Sequence, residues 1–146
     1  MTTTEATPAE SGEAQVRRTI DQFMSAVKAK NFESVMSFYT PDVVAFDMLP
    51  PLRYAAEGYR KVWEDGLQMM KGPIVYELRD LTVVARQDVA FCHALSHMSL
   101  QEQGMDLWMR WTACFRNIGG RWLIAHEHTS VPSDMDNGRA IMDLKP

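Results

Sequence analysis

The chain has 146 residues, 46% of them hydrophobic and 23% charged, which suits one compact domain that buries roughly two thirds of its unfolded surface. A net charge of -4, with no run of lysines and arginines, argues against a nucleic-acid partner. No signal-like apolar core opens the sequence and no uncharged apolar run nears the ~20 residues that span a bilayer, so a cytoplasmic protein with no membrane partner is expected. Residues 1–12 (MTTTEATPAESG) have almost nothing to bury and read as a disordered tail ahead of a domain over 13–131. Val16, Ile20, Phe23, Met24 and Val27 recur at helical spacing and give an amphipathic helix ending near Ala29-Lys30. Asn31 then caps a second short helix carrying Phe32, Val35, Met36 and Tyr39, which Thr40-Pro41 stops. Val43 to Asp47 read as a short strand.

Met48 to Leu52 contain Pro50 and Pro51, which cannot donate to a ladder, so this stretch is a rim segment before a third helix with Tyr59, Val62, Trp63, Leu67 and Met70. From Pro73 the period changes to two. Four strands follow, at about 73–86, 89–100, 106–117 and 121–131, as an antiparallel meander. A parity change between Leu78 and Leu81 marks a bulge. Cys92 and Cys114 lack CxxC spacing and read as small buried hydrophobes. Residues 132–146 form a polar tail over the surface or a partner subunit.

Strand parity phases the hairpins. With Gly119-Gly120 as a two-residue turn, Leu107, Met109, Trp111, Ala113 and Phe115 share a face with Trp122, Ile124, His126, His128 and Ser130. A five-residue loop from Gln101 to Met105 sets Leu100 against Asp106 and adds His93 and His97 to that face. All four histidines then converge where the apolar core fades into a polar cavity, and the alternation turns Glu127 outward. The opposite face, with Trp108, Arg110 and Thr112, is partly apolar, so a homodimer is expected to cover part of it.

This order of elements, ending in RWLIAHEHTSVP, resembles the SnoaL-like branch of the NTF2-like superfamily from about Glu13 to Pro146. The resemblance rests on AFDMLPPLRY (Ala45 to Tyr54), LWMRWTACFR (Leu107 to Arg116), HEHTSVP (His126 to Pro132) and the ending GRAIMDLKP. It implies an α+β cone, in which a curved antiparallel sheet wraps around N-terminal helices and an open-ended pocket. It also implies a usual homodimer and commonly no cofactor. Members include ketosteroid isomerases, dehydratases, cyclases, epoxide hydrolases, non-catalytic binding proteins and the association domain of a calmodulin-dependent kinase. Asp47 is similarly placed to the general-base aspartate of the ketosteroid isomerases. Phe23 stands where those enzymes carry an oxyanion-hole tyrosine, and Thr112 or Ala113 where they carry a protonated aspartic acid, so their mechanism is not expected.

The candidate proton-handling residues are Asp47, His126 and His128, since an imidazole oriented by a carboxylate works near its ordinary pKa of about 6.5. The bland alternative is that the histidines satisfy one another and buried backbone groups. Tyr54, Trp63, His93, His97 and Trp111 are candidate ligand-binding residues. A metal is not expected: His93 and His97 lie two strands, about 10 Å, from His126 and His128, and HEH is not HExxH. GxGxxG, GxxxxGK[ST] and GxSxG are all missing. Two readings result: an acid/base enzyme of isomerase, dehydratase or cyclase type acting without a cofactor on a small apolar molecule, or a non-catalytic ligand-binding or dimerisation module.

Overall fold

The computed structural model describes residues 9–146, so most of the expected N-terminal tail, residues 1–8, lies outside the described residues. Helix α1 (Gly12–Lys28) starts where the Ser11 hydroxyl accepts a hydrogen bond from the Ala14 amide. Glu13 in its first turn and Lys28 in its last both suit the helix dipole. Its buried stripe of Val16, Ile20, Phe23 and Val27 is the one the spacing predicts. Asn31 caps the short helix α2 (Phe32–Met36) by accepting from the Ser34 amide at 3.1 Å.

The first strand begins earlier than its sequence pattern suggests. β1 runs over Tyr39–Phe46, because Tyr39 pairs with Ile124 before the ladder breaks and resumes at Val44 opposite His126. Pro41, with no N–H to donate, sits inside that break. A cis Pro50-Pro51 bond follows in the rim segment, and helix α3 spans Ala56–Met69. No helix among the described residues is long and apolar enough to cross a membrane.

Strands β2 (Val75–Arg86), β3 (Val89–Leu100), β4 (Met105–Ile118) and β5 (Arg121–Ser130) form the antiparallel meander. β1 adds in parallel beside β5, giving one curved, mixed sheet in the order β1-β5-β4-β3-β2. The bulge in β2 lies between Arg79 and Thr82, with Asp80 left-handed, so Tyr76 and Val83 can both face inward despite their opposite parity. α1 and α3 cover the inner face, where Phe23, Val43, Ala45, Cys92, Ala113, Phe115 and Ile124 make a dry core.

Two registers differ from the sequence reading, and both move the histidines. Leu100 pairs with Met105, not Asp106, because a tight turn over Gln101–Gln103 closed by left-handed Gly104 is one residue shorter than expected. The inner residues of β3 are therefore Ala90, Cys92, Ala94, Ser96 and Met98, and His93 and His97 face outward. The Gly119-Gly120 turn is as read, with Ile118 opposite Arg121 and both glycines at positive φ. Beyond it, Phe115 opposes Ile124 but Cys114 opposes His126, leaving Ala125 as an extra residue. That bulge reverses the parity of β5: Glu127 and Thr129 turn inward, and His126 and His128 turn out. The terminal segment reaches back over the outer face, where Lys145 approaches Asp106 and the Pro146 carbonyl accepts from Arg79.

Candidate functional site

A cavity of about 290 Å³ opens between α3, the rim segment after β1 and the inner face of the sheet. Most of its wall is apolar. Met48, Met70, Met98, Met105 and Met109 line it together with Phe23, Val62, Trp63 and Leu107. Its polar groups are Asp47, Glu127, Ser96, Thr129 and the phenols of Tyr59 and Tyr76, and among the described residues no lysine, arginine or histidine faces it.

Glu127 is the centre of this site. It is 3% exposed, and its carboxyl is reached from three other elements. The Tyr39 hydroxyl at the start of β1 donates to Oε1 at 2.6 Å, and the Tyr59 hydroxyl of α3 donates to the same oxygen. The Trp111 indole N–H of β4 donates to Oε2 at 3.0 Å. Trp63, one turn beyond Tyr59 on α3, donates its indole N–H to the Tyr39 oxygen at 3.0 Å and so orients that hydroxyl. Edge-to-face contacts lock the rings: Tyr39 meets Tyr59 with centroids 5.5 Å apart, and Phe23 meets both Tyr39 (5.9 Å) and Trp63 (5.8 Å).

Burial dominates the electrostatics. It pushes the Glu127 carboxyl above its ordinary range, the three donors pull it partly back, and the Asp47 charge adds to the upward direction. The Tyr39 and Tyr59 phenols are pushed well above their usual range, first by burial and then by Glu127. They therefore stay protonated donors while Glu127 takes up or releases a proton. Such a carboxyl can act as acid or base on a molecule held in the cavity.

Of the sequence-predicted residues, Asp47, Trp63 and Trp111 meet at this cavity. Asp47 is half-buried at its mouth, with Oδ1 accepting from the Leu49 amide at 3.0 Å. Tyr54 lies one layer back: its ring packs on Tyr59 at 6.0 Å and its hydroxyl donates to the Pro50 carbonyl, which ties the rim. The four histidines are off this cavity, on the other side of the sheet, although His128 shares an open groove along the rim segment with Asp47. His126 Nδ1 donates to the Val44 carbonyl at 2.6 Å, and Phe46 packs edge-on against both His126 and His128. His97 lies between Glu77 and Asp106 and stacks on Trp108, while His93 is exposed. Sequence reasoning missed Glu127, Tyr39 and Tyr59. A usable signal was present, since Tyr39, Tyr59, Trp63 and Trp111 all carry polar tips that need a partner once buried, and a carboxyl between two of the elements can serve all of them.

The family model described as a SnoaL-like domain matches residues 16–134, and a solved NTF2-like protein of unknown function from Pseudomonas putida KT2440 is 36% identical over 92% of this chain and 96% of its own, with a TM-score of 0.86. The chain belongs to the SnoaL-like family. Its NTF2-like cone is shared by two more distant structures. One is a candidate calcium/calmodulin dependent protein kinase II association domain from Xanthomonas campestris, at 23% identity, TM-score 0.73 and coverage of 90% of this chain and 95% of that one. The other is a candidate dehydratase of the NTF2-like family from Streptomyces avermitilis, at 16% identity, TM-score 0.68 and coverage of 80% and 93%. At those identities the likeness establishes the fold alone. No curated protein matches the sequence. In this SnoaL-like domain the buried polar group on the last strand is thus a carboxyl, Glu127, and not the imidazoles that flank it.

Proposed function

We propose that the cavity is the active site of an acid/base enzyme acting on a small, largely apolar organic molecule, by isomerisation, dehydration or cyclisation. The observation that carries this reading is Glu127, a carboxyl with a raised pKa held by three donors at the wall of an otherwise apolar cavity. Glu127 lines the ligand space and its three donors leave one hydrogen-bonding position of the carboxyl unfilled, while Asp47 at the mouth supplies a second carboxyl for the opposite proton transfer. Because the two sit in different environments, one buried among donors and one half-exposed, they divide acid and base roles between them. The dehydratase candidate among the structural neighbours is in keeping with such chemistry.

Deuterium exchange into a surrogate substrate tests the reading. A cyclic ketone such as 2-tetralone, incubated with the protein in D₂O, is expected to exchange its α-hydrogens faster than in buffer. Glu127→Gln should lower that rate by about 10²- to 10⁴-fold, the usual worth of a general acid or base. Exchange that is unaffected by the substitution, or no faster than buffer, sinks the proposal. The second reading, a non-catalytic binding module, is favoured by one observation: the donors around Glu127 already satisfy most of its hydrogen-bonding capacity. Tight binding of a metabolite with no product and no exchange would select it.

A further inference from the structure

We infer that the cavity takes an uncharged, polarisable ring compound bearing a hydroxyl group, and rejects carboxylates and phosphates. This rests on the proposed reading of the site and names its substrate class. Charge excludes half of the candidates. Asp47 and Glu127 are the acids facing the cavity, and no basic side chain among the residues lining it offsets them. An anion entering would lose its hydration and meet like charge in an apolar enclosure. The donors around Glu127 are also turned the wrong way for one, and the other hydroxyls of the lining, on Ser96, Thr129 and Tyr76, carry no charge to offset an anion. A site built for a negative oxygen aims its N–H and O–H groups at the ligand. Here Tyr39, Tyr59 and Trp111 aim theirs at Glu127.

The lone pairs of that carboxyl then narrow the choice. A carboxyl group offers about four hydrogen-bonding positions. Two on Oε1 are taken by the tyrosines and one on Oε2 by Trp111, which leaves one position on Oε2 for the ligand. A hydroxyl pairs with that position in either protonation state, donating to the carboxylate or accepting from the acid. An ether or ketone pairs only with the acid, and an ammonium only with the carboxylate. The body of the ligand is set by the walls. Five methionines present flexible, polarisable thioethers that favour the edges of aromatic rings, opposite the flat indoles of Trp63 and Trp111. A volume of about 290 Å³ is at the small end of ligand pockets and suits a body of about two fused rings.

Calorimetry on the intact protein with three probes of one skeleton tests this: 2-naphthol, 2-methoxynaphthalene and 2-naphthoate, near neutral pH. The expected order is 2-naphthol tighter than 2-methoxynaphthalene by about tenfold, the worth of one hydrogen bond, and 2-naphthoate weaker than 2-naphthol by about a hundredfold. Glu127→Gln offers only an amide donor at the ligand position, so the naphthol preference over the ether should collapse toward one. Asp47→Asn at the rim, which leaves the buried network intact, should recover part of the naphthoate binding, and it decides the matter if the Gln variant does not fold. Naphthoate binding as tightly as naphthol, an ether binding as tightly as naphthol, or no binding of naphthol at all would overturn the inference. Failure of the exchange experiment with this ladder intact would remove the catalytic reading and leave the ligand class standing.

Discussion

Three donors on one buried carboxyl create a dependence that runs in both directions. Removing the hydroxyl in Tyr59→Phe leaves Glu127 with two donors, so the charged form loses support and the pKa rises further. A stability loss of about 1–3 kcal/mol is expected from thermal melts, the range for a buried group that loses its partner. The pH dependence has a definite sign. A carboxyl whose folded-state pKa lies above its ordinary value of 4.5 contributes stability below that value and loses it as pH rises through the folded-state pKa. Wild-type melting temperature, relative to that of Glu127→Gln, should therefore fall as pH rises from about 4.5. A constant gap would mean that Glu127 keeps an unperturbed pKa. The outward imidazoles predict the opposite kind of result: His128→Ala, exposed beside Phe46 on the outer face, should leave ligand binding in the cavity unchanged when measured by calorimetry.

Within the strands, single-residue insertions decided which side chains reached the site. The helices apart from the end of α2, which stops at Met36 and leaves Tyr39 to open β1, were legible, as were the rim prolines, the bulge in β2 and the double-glycine turn, because spacing, capping chemistry and left-handed glycine leave marks in sequence. Ala125 leaves none. An alanine is equally at home in a regular ladder or a bulge, and one extra residue there exchanges Glu127 for the histidines. The turn at Gly104 is similar, since one residue of loop length moved His97 to the outer face. There it joins strands: Nδ1 bonds Glu77 of β2 at 2.8 Å, Nε2 bonds Asp106 of β4, and the ring stacks on Trp108 at 4.4 Å. Arg79 covers the same indole, and Lys145 meets the other oxygen of Asp106. Both ring nitrogens face carboxylates, an arrangement only the imidazolium satisfies with two donors. Partial burial pulls the His97 pKa down, but its bonds to Asp106 and Glu77 outweigh that and the net direction is up. This stabilisation is complete below the ordinary histidine value of 6.5 and is lost as pH rises through the higher folded-state value. The melting-temperature gap between wild type and His97→Gln should accordingly be widest near pH 6 and close toward pH 9. A gap that widens with pH would contradict the clasp.

Over the whole molecule, the two faces of the sheet have different tasks, and the outer one is incompletely covered. Its Asp106 and Trp108 end is occupied by the His97 clasp and the chain's own terminal segment, whose Lys145 and Pro146 reach Asp106 and Arg79. The other end carries Val84, Val89 and Phe91, which are 38%, 55% and 45% exposed, and these side chains sit next to one another across β2 and β3. A β-surface of this kind, apolar and with no covering layer among the described residues, loses free energy to water that a self-complementary contact can recover. A second copy of the chain is expected to pack on it, burying roughly 800 Å² per partner if the contact is of ordinary size. Sedimentation velocity should then report a dimer whose fraction rises with concentration, and Phe91→Glu should shift it to monomer. Because Phe91 faces away from the cavity, the same substitution should leave 2-naphthol binding unchanged. A wild-type monomer at high protein concentration would refute the dimer. A dimer insensitive to Phe91→Glu would move the interface elsewhere on the molecule.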